Sequence, residues 1–276
     1  MRAALVQLSS SDDPTANLVT TTALIEAAVA GGAGFVLTPE VTNCVSASRS
    51  RQNEVLQPEE ADITLAALRD LAARRGIWLS IGSLALKTDD PDGRFANRGF
   101  LIGPEGGIHA RYDKIHMFDV QVSETETYRE SEGFRPGTQA AVADTPFARL
   151  GLSICYDVRF PRLYRALAQA GAEVLLIPAA FSPVTGAAHW HPLLRARAIE
   201  SGAWVLAAAQ CGQHAAVRGK QRTTYGHSLA VAPWGEVMAE GGEAPEVLFV
   251  DLAREAVDKA RERVPSLSHD REFTGP

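Results

Sequence analysis

The sequence predicts an α/β protein, one domain assembled from two similar halves lying face to face. Short β-branched runs alternate along it with longer Ala/Leu/Arg segments, the pattern of helices packed on sheets. There is also an internal echo. Ala30 to Pro39 is answered by Ala170 to Pro178, each reading helix, glycine cap, buried strand, proline. Arg75 to Gly82 is likewise answered by Ser201 to Ala208, each a strand entered after a helix and a glycine. A plain succession of βα units produces similar echoes, so that simpler reading stays open. No Pro/Ser/Gly linker separates the halves, which argues for one domain over residues 1–260, followed by an irregular extension over 261–276.

Strands are expected at 2–8, 34–38, 77–83, 97–102, 149–154, 173–178, 203–209, 227–232 and 246–251. Helical spacing covers 15–30, 59–75, 159–170 and 187–201, with polar residues or proline near the starts and glycine near the ends.

Composition narrows the function. The chain has 276 residues, of which 46% are apolar and 22% charged, enough for a sizeable core. Its net charge of -6 comes without any Lys/Arg block, so neither nucleic acid nor an anionic membrane surface is an expected partner. The N-terminal apolar run is too short for a secretory signal, and no later stretch is long enough to span a bilayer. Cys44, Cys155 and Cys211 are odd in number and scattered, fitting neither a disulfide framework nor a CxxC site. A reducing, cytoplasmic setting is therefore expected, with each thiol explained singly.

Cys155 ends the strand-like run Leu150 to Ile154 and precedes Tyr156-Asp157-Val158-Arg159-Phe160-Pro161 and a helix. Strand, sharp turn and helix expose a nucleophile on a rigid platform, with the next backbone N–H available to an oxyanion. A buried core cysteine is the competing reading. A thiol needs a base or a cation beside it. Seven histidines, His109, His116, His189, His191, His214, His227 and His269, leave a Cys–His pair open, although no spacing singles one out. Lys114, in the charged and aromatic cluster Arg111 to Asp119, is the sharper candidate, against a solvated lysine in a polar loop. Glu40 follows the buried run Phe35 to Thr38 and Pro39, placing a carboxylate at a strand end, where α/β sheets collect catalytic groups. A structural ion pair is its alternative.

Thr38-Pro39-Glu40, Arg111-Tyr112-Asp113-Lys114-Ile115-His116 and Cys155-Tyr156-Asp157-Val158-Arg159-Phe160-Pro161, in this order, resemble the nitrilase superfamily of carbon-nitrogen hydrolases over at least Arg2 to Val250. The resemblance implies an αββα sandwich of two mixed sheets and a Glu40–Lys114–Cys155 triad. It implies a second glutamate, best matched by Glu130, with Glu132 two residues away. It also implies a cofactor-free, metal-free thioester mechanism in which the Tyr156 N–H and Lys114 hold the oxyanion. Family members usually pair, so a homodimer or larger homo-oligomer is expected, with 261–276 at the subunit interface.

The segments Ala179 to Trp190, Ala207 to Gly212, Tyr225 to Ser228 and Pro233 to Gly235 resemble the branch that cleaves deaminated glutathione into 2-oxoglutarate and cysteinylglycine. That resemblance implies Arg159 for the substrate carboxylate, with Phe181 and Thr185 lining the pocket; for Arg159 the alternative is an ion pair with Asp157. Ala215 to Arg222 reads as an ordinary polar loop, a departure from that branch. An ω-amidase acting on an oxo-acid amide, or an inactive scaffold, are the other readings.

Overall fold

The computed structural model describes residues 1–122, 124 and 126–275. The first half runs β1 (Arg2–Gln7), α1 (Pro14–Ala30), β2 (Phe35–Leu37), α2 (Arg49–Val55), α3 (Ile63–Arg75), β3 (Trp78–Leu86), β4 (Ala96–Ile102) and β5 (Ile108–Asp113). A hairpin of β6 (Asp119–Gln121) and β7 (Thr127–Arg129) and a single helical turn, α4 (Glu130–Gly133), lead into the second half. That half comprises β8 (Ala141–Asp144), β9 (Arg149–Leu152), α5 (Pro161–Gln169), β10 (Val174–Leu176), α6 (Pro183–Ser201), β11 (Trp204–Ala207), β12 (Cys211–Gln213), β13 (Thr223–Tyr225), β14 (Leu229–Val231) and β15 (Val237–Glu240). The chain then returns through β16 (Glu246–Asp251) and α7 (Arg254–Arg263).

Two six-stranded mixed sheets result, ordered β16-β1-β2-β3-β4-β5 and β15-β14-β11-β10-β9-β8. Each has three parallel strands at its centre, β1–β3 in one and β9–β11 in the other, with antiparallel strands at both flanks. The echoed segments β2 and β10, and β3 and β11, occupy equivalent places. The sequence echo therefore reflects a repeated architecture.

Side-chain alternation explains the layering. Along β1 and β2, Ala3, Leu5, Phe35 and Leu37 join the core shared with the second sheet, whereas Ala4, Val6 and Val36 pack beneath Ile25 and Ala28 of α1 and Leu68 and Ala72 of α3. Strands buried on both faces read as continuous apolar runs, which is why they were legible. Helix ends follow local chemistry. Asp13 and Asp62 accept from Thr15 N (2.9 Å) and Leu65 N (2.8 Å) to cap α1 and α3, and Pro161 and Pro183 open α5 and α6.

Several elements depart from expectation. Strands β5–β8, β12, β13 and β15 lie outside the expected set because they are short or at sheet edges, where alternation is weak; α2, α4 and α7 were likewise unmarked. Helix α6 begins at Pro183 rather than 187. Helix α7 continues past 260 to Arg263 and buries only Val257 and Ala260, too narrow an apolar stripe to stand out. Among the described residues no helix is long and apolar enough to cross a membrane.

The halves meet where their strands end. Leu8 N donates to Ala209 O (3.3 Å) and Cys211 N to Leu8 O (2.7 Å), tying the tip of β1 to the segment after β11. A Cβ at Gly82 would lie 2.0 Å from Thr38 O and 2.4 Å from Pro178 Cβ, so β3 carries glycine where the ends of β2 and β10 cross it. The carboxyl ends of β2, β9 and β10 thus converge on one spot.

Candidate active site

Cys155 stands at that spot. Its backbone N–H donates to Pro178 O (2.8 Å), and its φ of +49 belongs to the left-handed region that a non-glycine residue rarely enters. Val41, next to Glu40, has φ +46. Such conformations cost about 1–3 kcal/mol each and persist only where the surroundings enforce them.

Asp157 supplies part of that enforcement. Fully buried, its carboxylate accepts from Ile154 N (2.9 Å), Tyr112 Oη (2.7 Å), His116 N (3.0 Å) and, at 2.7 Å, pairs with His116 Nδ1. His116 in turn stacks on Phe160, with centroids 3.5 Å apart. The nucleophile turn is thereby bolted to the segment that carries Lys114, and Asp157 is a positioning residue rather than the partner of Arg159. Asn in its place keeps one acceptor and turns its other face into a donor toward donors. Asp157→Asn is expected to lower stability by about 2–4 kcal/mol and to reduce kcat more than KM, as read from thermal melts and steady-state kinetics.

Lys114 and Glu40 are each almost wholly buried, 2% and 4% exposed. Lys114 Nζ donates to Glu40 Oε1 (2.8 Å) and to both oxygens of Glu130 (2.9 Å each). Glu40 Oε1 also accepts from Asn97 Nδ2 (2.9 Å), and Oε2 accepts from Ala180 N (2.8 Å). Glu130 Oε2 accepts from Phe118 N (2.6 Å), and Asn97 Nδ2 reaches its other oxygen at 3.3 Å. Glu132 lines the same cavity but makes no hydrogen bond to Lys114.

Electrostatics follow from this packing. Burial pushes the Glu40 carboxyl upward, but the Lys114 charge and the hydrogen bonds from Lys114, Cys155 and Asn97 outweigh it and hold Glu40 ionised below the usual range. Burial disfavours the Lys114 ammonium, yet Glu130 and Glu40 together raise its pKa well above that of a free lysine. Burial and the Glu40 charge push the Cys155 thiol well up, against the opposing pull of Lys114. The resting arrangement is a protonated thiol near an ionised carboxylate that is paired with an ammonium.

These groups open onto a cavity of about 720 Å³, within the size range of small-molecule sites. Phe118 packs at 5.0 Å against both Tyr128 and Tyr156, forming an aromatic wall up to the nucleophile. Phe181 and Thr185 also line the cavity. Arg159 does not. Its guanidinium packs over the rings of Tyr156 (5.9 Å) and Phe181 (5.3 Å), with Nη1 3.2 Å from His189 Nδ1. The two rings it stands against, Tyr156 and Phe181, both line the cavity beside the nucleophile. Lys220, Gln221 and Arg222, from the stretch read as an ordinary loop, do line it. Cys44 lines it as well, whereas Cys211 and all the histidines are absent from the lining, so the cavity offers no Cys–His pair. Among the described residues no His/Cys/Asp/Glu cluster is placed to hold a metal.

Asn97 and Asp157 went unrecognised as site residues. An asparagine inside the strand β4 (Ala96–Ile102) is the one signal that pointed to the first, since asparagine is poorly suited to strand interiors.

The carbon-nitrogen hydrolase family model matches residues 2–262, and the chain belongs to that family. It is a hydrolase acting on carbon–nitrogen bonds. The deaminated glutathione amidase of Yersinia enterocolitica is 38% identical over 269 residues, covering 97% of this chain and 92% of that protein. Nit3 of Saccharomyces cerevisiae, a nitrilase-superfamily member, shares the fold with a TM-score of 0.85 at 31% identity, over 99% of this chain and 97% of that one. A mutant of the amidase from Nesterenkonia sp. AN1, with acrylamide added to its active-site cysteine, matches with a TM-score of 0.77 at 29% identity, over 96% of this chain and 98% of that one.

Proposed function

We propose that this hydrolase cleaves small amides through a thioester on Cys155, and that its substrate is deaminated glutathione. The observation that carries the mechanism is a buried Cys155 thiol in one cavity with a Glu40 carboxylate that Lys114 Nζ, 2.8 Å away, keeps ionised. In the first step Glu40 takes the thiol proton as sulfur bonds to the amide carbon, and Lys114 with the Tyr156 N–H meets the oxyanion. The tetrahedral adduct collapses as Glu40 returns its proton to the departing amine. Water, deprotonated by Glu40 and positioned by Glu130, then hydrolyses the thioester, freeing the acid and restoring the thiol.

A raised thiol pKa suits this scheme, because the thiolate is needed only while substrate is bound. The acrylamide adduct on the Nesterenkonia amidase's cysteine supports the nucleophile assignment. For the substrate, support comes from the Yersinia relative's activity and from a cavity roomy enough for a dipeptide leaving group beside Phe181 and Thr185. The inactive-scaffold reading has no support from a site this complete.

Side-by-side kinetics test the substrate. kcat/KM is expected to be higher for deaminated glutathione than for the amide of 2-oxoglutarate; a tenfold preference the other way, about 1.4 kcal/mol, makes the enzyme an ω-amidase.

We further propose a single domain through residue 260 and a cytoplasmic homodimer or larger homo-oligomer. Support for the 261–276 segment as an interface is its Phe273, an apolar ring left 89% exposed, just beyond Asp270, which pairs with Arg165 on α5.

A further inference from the structure

We propose that Asn97 is the positioning residue that makes Glu40 the base of this site, by holding Glu40 and Glu130 together on one ammonium. The inference rests on the amide-hydrolase reading above, in which Glu40 takes the thiol proton, and deepens it.

This one residue of β4 reaches three members of the site. Its carbonyl accepts from Lys114 N (3.0 Å), and its Nδ2 donates to Glu40 Oε1 (2.9 Å) and Glu130 Oε1 (3.3 Å). The same stretch of chain fastens the turn on which Glu130 stands. Phe95, two residues earlier, donates its N–H to Gly133 O and accepts from Arg135 N, at 2.9 Å each, so the end of α4 is tied down where β4 begins. Asn97 is itself buried, on a strand paired to β3 on one side and β5 on the other, which holds its amide more firmly than a loop would.

Asn97 also decides which oxygen of Glu40 can act. A carboxylate oxygen has about two acceptor positions. Oε1 uses both, for Lys114 Nζ (2.8 Å) and Asn97 Nδ2, whereas Oε2 accepts from Ala180 N (2.8 Å) and keeps a position open. The thiol proton therefore goes to Oε2.

Stability alone does not call for asparagine here. Asn97 Oδ1 is buried with no hydrogen-bond partner among the described residues, a defect that an apolar residue of similar size would avoid. Turning the amide over would not cure it, because Oδ1 would then face the two carboxylates. The orphaned oxygen is what remains when the donor end is reserved for Glu40 and Glu130. Local defects of this kind are kept where function needs them.

The charged and titratable side chains around Glu40 are Lys114 after β5, Glu130 on α4 and Cys155 after β9. Asn97 is the neutral donor among them. A hydrogen bond to the ionised form favours that form, so losing it moves the acid limb of a Glu40-dependent rate to higher pH.

The test compares wild type, Asn97→Leu and Asn97→Asp. Steady-state kinetics across pH use deaminated glutathione and butyramide, and a second arm follows alkylation of Cys155 by iodoacetamide, read by peptide mass. Alkylation needs the thiol proton removed but needs no substrate. Asn97→Leu is expected to lower kcat about 10- to 100-fold with little change in KM, and to move the acid limbs of turnover and alkylation to higher pH. An aspartate at this position faces two carboxylates and keeps a proton at neutral pH, which it can donate to only one of them. Asn97→Asp is therefore expected to retain part of the activity and to lose it, as the pH rises, earlier than wild type does. A merely structural role would lower the melting temperature or the rate without moving either limb, and unmoved limbs overturn the assignment. Where Asn97→Leu fails to fold, Asn97→Asp decides alone: an early alkaline loss supports the assignment, and a profile shaped like that of wild type overturns it. A wild-type protein that hydrolyses neither amide defeats the amide-hydrolase reading, and the alkylation limb then still shows whether Asn97 governs Glu40.

Discussion

Cys155→Ala is expected to leave the folded state standing and to lower kcat by at least about 10⁴-fold. The backbone at 155 already holds a Cβ at φ +49, and alanine keeps that Cβ, so the strain at the turn is unchanged. Only one buried sulfur atom is lost, with a packing cost of about 1 kcal/mol. The chemistry loses its covalent step altogether, because no other thiol can substitute. Cys211 does not line the cavity, and Cys44, which does, makes no side-chain hydrogen bond to Glu40 or Lys114. Thermal melts together with turnover measurements check both halves of the expectation, and mass spectrometry of wild type mixed with substrate should find the acyl adduct on Cys155 alone. Undiminished hydrolysis by the variant would remove Cys155 from the mechanism.

Lys114→Met carries the second large effect, on stability as much as on rate. The ammonium is 2% exposed and lies within 2.9 Å of oxygens from two glutamates, so deleting it leaves like charges facing one another out of water. A loss of about 3–5 kcal/mol is expected, with turnover falling by about 10³-fold or more. The pH dependence of the loss is diagnostic. In wild type the Glu40 carboxyl is held below its unfolded value, so its contribution is present above about pH 4.5 and disappears as the pH falls. Without Lys114, desolvation dominates and lifts that carboxyl above the unfolded value. Its contribution is then greatest at low pH and disappears as the pH rises. Denaturant unfolding at about pH 4.5 and 7 should therefore show the variant closest to wild type in acid. A gap independent of pH would mean that the carboxylates do not depend on the ammonium. Lys114→Arg keeps the charge, but its planar fork cannot occupy a space shaped for a compact ammonium, so activity is expected below about a tenth of wild type.

Local signals announced the parts of this site that sit at element ends. Glu40 follows Pro39 at the end of an apolar run, and Cys155 follows another such run before a proline-started helix, so each reads as a strand-end group. Lys114 could be nominated only as the odd lysine in an aromatic cluster, and Glu130 only by resemblance. Asn97, by contrast, earns its place through Glu40, 57 positions away, and Glu130, 33 away. Such contacts leave no local trace. Arg159 was legible as a cation beside the nucleophile, but the direction of its side chain depends on the Phe181 and Tyr156 rings against which it packs. Arg222 was passed over for the opposite reason, because a loop of polar residues looks solvated until Asp12 and His214 fold it onto a cavity wall.

The sequence by itself thus determined the alternation of strands and helices, the repeat of the two halves, and the strand ends that would carry a thiol and a carboxylate, since each of these is written in periodicities and turn residues a few positions long. Tertiary structure alone decided that the ends of β2, β9 and β10 converge, that one buried ammonium would sit between two carboxylates, and that Arg49, Arg129 and Arg222 would line one cavity. Those outcomes depend on how two sheets pack and on charges that attract strongly only once water has been excluded between them.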